Sequence, residues 1–412
     1  MKNIKDMHTV VIVGGGFAGI RAALDLDKKS NGTIKIKLIS NKTHFEYYPR
    51  IYKVVTGNSP LEVCIPLSQI FENKKNIEVI HDPVTALSLS EQTVTGKSGT
   101  VYTYNDLILA LGSETVYFNI EGVKEHAYGF KSINEALALK KHLHEVFDVY
   151  LSSTKEDVIA KLHIVIVGGG PSGVELAGRL TSYMKTLAQH HSVDNNFITI
   201  DIVESAPRLV AMLPEDVSRR IYNQLHQMGV NIFLNRALVK EDVDEILLKD
   251  MSVKTNTLIW TAGSRTNHFY GEIAGLQLHR NGRVLVDEYL HAEGFKNVYI
   301  AGDSAQTKYA GLAQTALYDG EYIARTIIES KNHKTLKKYK PHPVSYAVPV
   351  GDGWAAVSIG SFHLYGRLAY WLREVIDIRF FLSILPFKKA FKIFFNRSLC
   401  ESCETCTRSS EA

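Results

Sequence analysis

The segment HIVIVGGGPSGVELAG, residues 163–178, decides the fold of this chain. Its first five residues are a short apolar run rich in β-branched side chains, which is typical of a strand buried on both faces of a parallel sheet. A glycine-rich turn follows, and VELAGRLTSYMKTL then reads as a helix. The same order of strand, turn and helix occurs in TVVIVGGGFAGIRAALDLDKK at residues 9–29. Two copies predict an α/β protein with two Rossmann-like units.

The glycines of each turn have separate physical roles. In the first turn, Gly14 permits the tight bend, Gly16 lets the backbone approach a pyrophosphate, and Gly19 lets the helix pack closely on the strand. The N-terminus of the helix adds N–H donors and the positive end of the helix dipole. The second turn repeats this spacing with three glycines: Gly168, Gly170 and Gly173. Each turn is therefore predicted to hold a dinucleotide, although one such match alone also fits a plain glycine-rich turn.

Length and charge narrow the class of protein. A chain of 412 residues is too long for one ordinary core and is expected to fold as two or three domains. Its formal net charge of +4 is small for this length, which predicts no nucleic-acid partner. Four cysteines, three of them in CESCETC at residues 400–406, favour a reducing compartment over a disulfide framework. No uncharged apolar run reaches the length of about 18 residues that predicts a spanning helix, and no secretory signal is predicted.

Polar residues at strand ends predict where ligands lie. FITIDIVE, in the second unit, ends in Glu204, whose carboxylate can accept both ribose hydroxyls of an adenosine. A solvated acid at a strand end is the alternative. In the first unit, TIKIKLIS ends at Ser40 and is followed by Asn41, where an acid would be expected. The strand of KNVYIAGDSAQ ends in an acid, Asp303, at the sheet edge where ligands of α/β proteins bind.

Five motifs occur in one order along the chain: GGGFAG, DLILALGS, GGGPSGVELAG, WTAGSRTN and NVYIAGD. Together they resemble the flavoprotein oxidoreductases with two dinucleotide-binding domains, over roughly residues 8–330. Within that group the chain most resembles the type II NADH:quinone oxidoreductases. GLAQTALYDGEYIARTI is similar to that family's AQ-containing helix beside the flavin and quinone, and SIGSFHLYGRLAYWLREVID also matches. The resemblance implies FAD at the first turn, NADH at the second, and electron transfer to a membrane quinone in a respiratory chain, without proton pumping.

The resemblance also implies site residues. Those for FAD come from the first turn, the strand ends and the AQ-containing helix: Gly14, Gly16, Phe17, Ala18, Gly19, Ser40, Asn41, Pro49, Ala110, Gly112, Gly302, Asp303, Ala313 and Gln314. Those for NADH come from the second turn and the strand ends beside it: Gly168, Gly170, Pro171, Ser172, Gly173, Glu175, Glu204, Ala262 and Gly263. Glu175 is implied near nicotinamide and flavin, and Gln314 and Tyr318 are implied near the quinone.

Two positions depart from the family pattern. Ser40 stands where the family usually has an acid, and Tyr318 stands where the AQxAxQ pattern has its second glutamine, although Gln314 is retained. These departures leave the mode of FAD ribose binding and the identity of the acceptor open. Proton delivery to a quinone is assigned to Glu175, Tyr318 or water. Glu175 also fits a capping or surface acid in the first helical turn, where the helix dipole favours it.

The resemblance divides the chain into three domains. The FAD domain is predicted at residues 7–122 and 267–335, the NADH domain at 123–266, and a C-terminal region at 336–412. In the C-terminal region, residues 362–399 carry seven basic and two acidic side chains, a net charge of +5. A basic, amphipathic helical segment of this kind suits the surface of an anionic membrane.

Two apolar stripes define the predicted membrane-docking surface. The first lies on one helical face opposite Arg373, Glu374 and Asp377, and comprises Leu364, Leu368, Trp371, Leu372 and Val375. The second is a phenylalanine stripe opposite Lys388, Lys389 and Lys392, and comprises Phe387, Phe391, Phe394 and Phe395. Both stripes also fit packing on the chain's own core or on a second subunit of a homodimer. The prediction is a peripheral protein on the cytoplasmic face of the cell membrane.

Two other functions fit the same motifs. A soluble NADH-dependent reductase of a small iron protein would bury the C-terminal stripes. A redox-responsive binding protein similar to apoptosis-inducing factor would turn over slowly and change its oligomeric state with NADH. Sulfide:quinone and disulfide reductases need cysteines against the flavin, and no pair occurs within residues 1–335. CESCETC has one thiol too few for an iron–sulfur cluster and no histidine for zinc, so no metal site is predicted.

Overall fold

The computed structural model describes residues 7–148 and 159–395, so the cysteines of CESCETC lie outside the described residues. The α-helices in these ranges are α1 Phe17–Ser30, α2 Ile51–Val55, α3 Leu67–Ile70, α4 Val123–His126, α5 Ile133–Asp148, α6 Pro171–His190, α7 Glu215–Gln227, α8 Ala313–Lys331, α9 Arg367–Ile384 and α10 Phe387–Phe395.

The strands follow the order that the apolar runs predict, with several short additions. They are β1 His8–Val13, β2 Ile34–Ser40, β3 His44–Glu46, β4 Cys64–Pro66, β5 Ile77–His81, β6 Val84–Ser88, β7 Thr93–Gly96, β8 Val101–Thr103, β9 Asp106–Leu109, β10 Ser113–Thr115, β11 Tyr128–Gly129, β12 His163–Val167, β13 Thr199–Val203, β14 Asn231–Phe233, β15 Leu238–Glu241, β16 Glu245–Leu248, β17 Ser252–Lys254, β18 Thr257–Trp260, β19 Ser264–Thr266, β20 Val298–Ile300, β21 Ser345–Pro349, β22 Ala355–Ile359 and β23 Phe362–Gly366.

The first unit is built on a parallel sheet in the order β20-β9-β1-β2-β5. Its central strand β1 is buried on both faces, as the apolar run predicts. Val10 and Ile12 belong to the core that contains α1 and α8, whereas Val11 and Val13 pack toward the antiparallel sheet β6-β7-β8. The strand alternates its side chains between two covering layers, so a continuous apolar run is needed.

The second unit repeats this plan with the parallel sheet β11-β18-β12-β13-β14. Ile164 and Ile166 of β12 pack into the core on the α6 side, and Val165 and Val167 pack toward the antiparallel sheet β15-β16-β17. The prediction of an α/β fold with two Rossmann-like units is therefore confirmed.

The chain passes from the first unit to the second and back again. Strand β20 enters the first sheet beside β9 only after the second unit has been completed. The two crossings run side by side, because β10 pairs antiparallel with β19. An NADH domain inserted into an FAD domain agrees with this path, and the boundaries at residues 122, 266 and 335 stay predictions.

The C-terminal region contains the antiparallel sheet β21-β22-β23 followed by α9 and α10. The placement of Leu364 on a helical face is wrong, because Leu364 lies in β23 opposite Val357 of β22. Pairing with β22 holds this segment extended, and the helix starts only after Gly366, whose φ is +85°. Within the described residues, no helix has the length and hydropathy to cross a bilayer.

Candidate active site

A cavity of about 870 Å³ lies between the two units. The first turn and the N-terminus of α1 form one part of its wall, and Pro171, Ser172 and Glu175 at the start of α6 form another. The ends of strands β9, β18 and β20 complete the wall with Ala110, Gly112, Ala262, Gly263, Gly302 and Asp303. The two units therefore share one cavity at the carboxyl edges of both sheets, where α/β proteins bind their ligands.

The first turn has the geometry that its glycines predict. Gly14 has a φ of +118°, and a Cβ atom there would lie 2.2 Å from the carbonyl oxygen of Ala110. A Cβ at Gly19 would lie 2.0 Å from the carbonyl oxygen of Gly14, so any side chain would push α1 away from the turn. At Gly16, by contrast, a Cβ would meet nothing within 4 Å. The backbone at Gly16 is open toward the cavity that it lines, which suits an approaching phosphate.

The second turn has the same geometry. Gly168 has a φ of +115°, a Cβ at Gly173 would lie 2.0 Å from the Gly168 carbonyl oxygen, and Gly170 is open. Glu204, directly after β13, accepts hydrogen bonds from the backbone N–H groups of Gly169 at 2.6 Å and Ala206 at 2.7 Å. These bonds fix the carboxylate beside the turn, where an adenosine ribose would lie.

Most of the predicted site residues meet at the cavity. Those in its wall are Gly14, Gly16, Phe17, Ala18, Ser40, Asn41, Pro49, Ala110, Gly112, Pro171, Ser172, Glu175, Ala262, Gly263, Gly302, Asp303 and Ala313. Those outside its wall are Gly19, Gly168, Gly170, Gly173, Glu204, Gln314 and Tyr318. Gly19, Gly168 and Gly173 support the turns from behind. The individual roles stay predictions.

Gln314 and Tyr318 face away from the cavity on α8. The amide of Gln314 donates to the carbonyl oxygen of Ser345 at 3.1 Å and accepts from its N–H at 3.1 Å, so it joins α8 to β21. The ring of Tyr318 packs against Tyr339 and His342, with centroids 5.7 and 5.4 Å apart. Gln314 therefore lies between α8 and the C-terminal sheet, and the roles of both residues near a quinone stay predictions.

Three side chains form a chain of hydrogen bonds that the sequence does not reveal. Lys131 Nζ donates to Ser113 Oγ at 2.8 Å, and Ser113 Oγ donates to Asp303 Oδ2 at 2.5 Å. All three line the cavity. Burial lowers the pKa of Lys131, and the neighbouring carboxylates of Asp303 and Glu135 oppose this effect. Ser113 belongs to the DLILALGS motif, whereas no motif includes Lys131.

The end of the cavity near Ser40 carries four ionisable side chains, Lys42, His44, Glu46 and Asp82. Ser40 Oγ accepts the N–H of Lys42 at 3.1 Å, so the hydroxyl already has a partner. Glu46 accepts from Lys42 Nζ at 2.7 Å and lies 3.2 Å from His44 Nε2. Hydrogen bonding to Cys64, and then to Glu46, raises the pKa of His44 to about 9. Two cations and two buried carboxylates, Glu46 and Asp82, therefore stand near the position where the family usually has a single acid.

Glu175, the fifth residue of α6, lies just after the first helical turn and is half-buried in the cavity wall. Burial raises its pKa to about 8, the positive charge of Arg373 opposes the shift, and the negative charge of Asp377 adds to it. The carboxyl group is therefore mostly protonated at neutral pH. A carboxyl with a raised pKa in a cavity wall is typical of a proton donor, and this role of Glu175 stays a prediction.

Helix α9 contacts the cavity wall through hydrogen bonds and ion pairs of buried charged side chains. Asp377 accepts from Tyr47 Oη at 2.6 Å and from Arg50 Nε at 2.8 Å, and it also pairs with Arg373. Arg373 donates to the carbonyl oxygen of Pro49 at 2.9 Å, and Pro49 lines the cavity. The charged face of α9 thus faces inward, which helical periodicity alone did not predict.

Each of the two parallel-sheet units has a glycine turn followed by a helix, and both helices start at one shared cavity. This arrangement defines an oxidoreductase with two dinucleotide sites. The chain belongs to the pyridine nucleotide-disulphide oxidoreductase family, whose model matches residues 8–320. Despite that name, Cys64 is the only cysteine before residue 335.

Curated relatives agree with the predicted resemblance. The type II NADH:quinone oxidoreductase Ndh of Mycobacterium tuberculosis (strain ATCC 25618 / H37Rv) is 29% identical over 399 residues, which cover 91% of this chain and 85% of that protein. The type II NADH:quinone oxidoreductase of Staphylococcus haemolyticus (strain JCSC1435) is 27% identical over 403 residues, with 93% and 99% covered. The resemblance to this group is confirmed.

Solved structures share the fold. NDH2 from Plasmodium falciparum, in complex with NADH, has a TM-score of 0.85 at 18% identity and covers 96% of this chain and 100% of its own. The sulfide:quinone oxidoreductase from Aquifex aeolicus has a TM-score of 0.77 at 19% identity, with 96% and 98% covered. At these identities the likeness shows the fold, and the chemistry must come from the site.

Proposed function

We propose that this chain is a FAD-dependent NADH:quinone oxidoreductase that attaches to a membrane surface. The observation that carries this proposal is the single cavity shared by the starts of α1 and α6, with the carboxyl of Glu175, whose pKa burial raises, in its wall. The relatives named above support the choice of donor and acceptor.

The residues present fit both dinucleotides. Gly16 and the N–H groups at the start of α1 suit the FAD pyrophosphate, and Gly170 with the start of α6 suits that of NADH. Bound FAD supplies the redox chemistry, since a flavin accepts hydride from NADH and passes two electrons on to a quinone. The protein holds, orients and shields the reacting groups.

The polar residues of the cavity have separate tasks. Asp303, oriented by Ser113 and indirectly by Lys131, is placed to accept hydrogen bonds from hydroxyl groups of FAD. Glu204 binds the NADH ribose. Glu175 holds a proton that reduction of a quinone requires, because its carboxyl is neutral below its raised pKa.

The test is an anaerobic absorbance titration of the purified protein. NADH is expected to bleach the flavin band, and a short-chain quinone is expected to restore it quickly. Bleaching that reverses only with an iron protein or oxygen would favour the soluble reductase, and a protein without a flavin band would contradict the proposal.

NADH is expected to be preferred over NADPH because of Glu204. A 2′-phosphate about 4 Å from this carboxylate would be repelled by about 4 kcal/mol per unit charge at an effective dielectric constant of about 20. Solvent screening makes the corresponding thousandfold preference an upper limit. The measurement is kcat/KM with each donor. Glu204→Gln is expected to lower the ratio of kcat/KM with NADH to kcat/KM with NADPH. Glu215→Gln, an exposed acid at the start of α7, is the matched control. Equal efficiency of both donors in the unmodified protein would contradict this role.

Exposed apolar side chains support attachment to a membrane surface. Leu368 and Trp371 on the outer face of α9 are 71% and 68% exposed, whereas Arg373 and Asp377 on its inner face are 5% and 1% exposed. Phe387 and Phe395 of α10 are also exposed. Large apolar groups open to solvent beside basic residues suit an anionic lipid surface. Phe394 is buried at 6% exposure, so its place in an exposed phenylalanine stripe is wrong. The four exposed side chains favour the membrane-attached enzyme over the soluble reductase, and a cytoplasmic membrane face agrees with the reducing compartment inferred from the cysteines.

The double variant Leu368→Ser, Trp371→Ser is expected to bind vesicles at least about tenfold more weakly, because each lost apolar contact contributes about 1.5 to 3 kcal/mol when fully buried. The measurement is cosedimentation with vesicles of phosphatidylglycerol and phosphatidylcholine. Val243→Ser, also highly exposed but in the turn between β15 and β16, is the matched control. If the double variant bound vesicles unchanged but lost dimer mass in light scattering, the surface of Leu368 and Trp371 would instead contact a second copy of the chain.

A further inference from the structure

Asp319 is a buried carboxylate directly behind the cavity wall. It lies on α8 with no solvent exposure. Its Oδ2 accepts the backbone N–H of Gly302 at 2.9 Å, and its Oδ1 accepts the hydroxyl of Tyr339 at 2.7 Å. The carboxylate therefore connects α8 to the turn after β20 and to the segment that follows α8.

The turn that Asp319 holds belongs to the cavity. Gly302 and Asp303 both line it, and Gly302 has a φ of +72°, in the left-handed region. From the opposite side, Ser113 holds the Asp303 side chain, and the N–H of Ala301 donates to the carbonyl oxygen of Leu109 at 3.0 Å. Asp319 thus supplies the support from behind the turn.

We propose that Asp319 is a positioning residue that fixes the turn of Gly302 and Asp303, and that the cavity holds FAD tightly only while this carboxylate is ionised. The inference rests on the FAD site of the proposed function. An ionised carboxylate accepts both hydrogen bonds, and bonds to a charged acceptor are stronger than neutral ones. Protonation on Oδ1 would turn that oxygen into a donor, so the Tyr339 hydroxyl must reverse and the Gly302 N–H is left with a neutral, weaker acceptor.

The carboxyl can change its charge within an accessible pH range. Burial raises the pKa of Asp319 to about 6, the bonds from Tyr339 and Gly302 oppose the shift, and the charge of Asp303 adds to it. Tyr318 and Tyr322 also pack on Tyr339, and the hydroxyl of Tyr322 donates to the carbonyl oxygen of Lys337 instead. The ionised form predominates above pH 6, so FAD affinity is expected to be high there and to fall as the pH decreases through 6.

The experiment follows FAD release from the full-length holoenzyme, diluted at pH values from 5 to 8, by the recovery of flavin fluorescence. The dissociation constant of the unmodified protein is expected to rise about tenfold between pH 7.5 and pH 5. The side chain of Asp319→Asn cannot ionise. At every pH, the dissociation constant of this variant for FAD is therefore expected to equal the value that the unmodified protein has at low pH. Tyr339→Phe removes a hydrogen-bond donor to the carboxylate. The midpoint of the pH dependence of FAD release is therefore expected at higher pH in this variant.

Tyr322→Phe is the matched control, because this phenol does not contact Asp319, and its midpoint is expected to be unchanged. A purely structural contribution would weaken FAD binding without moving the midpoint. The same pH dependence in Asp319→Asn as in the unmodified protein, or an unshifted midpoint in Tyr339→Phe, would overturn the inference. No donor or quinone is present in this assay, so equal FAD affinity at both pH values contradicts only this inference, whereas a protein without flavin contradicts the proposed function as well.

Discussion

Gly173→Ala is expected to abolish efficient use of NADH while the flavin stays bound. The added Cβ would lie 2.0 Å from the carbonyl oxygen of Gly168 and 2.9 Å from Thr261 Oγ1. The Gly168 backbone has little freedom to move, because its φ is +115° and a Cβ at that position would lie only 2.9 Å from the backbone of Ala262. The start of α6 must therefore shift away from the turn. Since a displacement of about 1 Å in a positioned group can cost roughly 100-fold, kcat/KM for NADH is expected to fall by at least about that factor.

The measurement is the rate of anaerobic flavin reduction over a range of NADH concentrations, together with the flavin content of the purified variant. Gly19→Ala is the reciprocal control, because its Cβ would lie 2.0 Å from the Gly14 carbonyl oxygen in the first unit. This variant is expected to lose flavin. If Gly173→Ala were reduced at the original rate, or if Gly19→Ala kept its flavin, the assignment of the two turns would be wrong.

Glu175→Gln is expected to lower quinone turnover by about 100-fold to 10,000-fold, the usual contribution of a positioned acid or base. Glutamine keeps the shape of the side chain and cannot supply a proton. The pKa of Glu175 is raised to about 8, so the protonated donor is present below pH 8 and is lost as the pH rises through 8. Turnover of the unmodified protein is therefore expected to decline above pH 8, and the variant should lack this decline.

Flavin reduction by NADH separates this role from a role in binding, since the first half-reaction needs no proton from the protein. Glu321→Gln, an exposed acid on α8, is the control for loss of a negative charge. Unchanged quinone turnover in Glu175→Gln would remove Glu175 from proton delivery. A parallel loss of flavin reduction would instead assign it to positioning the nicotinamide.

Local rules explain why the two glycine turns were predictable. A buried strand needs an apolar run, a turn with positive φ needs Gly14 or Gly168, and a helix packed against that turn needs Gly19 or Gly173. These requirements act within about ten residues of each other, so the spacing of the residues expresses them directly. The five motifs then predicted the order of the units and the cofactors, and most of the predicted site residues line the cavity.

The orientation of α9 was not predictable in this way. Its periodicity separates Leu368 and Trp371 from Arg373 and Asp377, but the charged face is the buried one. The partners that make this burial tolerable, Tyr47, Arg50 and Lys53, come from more than 300 residues earlier. A buried charge is stable only when such partners surround it, and periodicity contains no information about them.

The sequence by itself determined the two nucleotide-binding units, because steric limits on the local backbone require their glycines and burial requires their apolar strands. Only the tertiary structure decided which polar groups share the cavity. Lys131 reaches Asp303 through Ser113, and Asp319 holds Gly302 while Tyr339 holds Asp319. These hydrogen bonds depend on distances of about 3 Å between side chains, and only the packing of separate elements sets such distances.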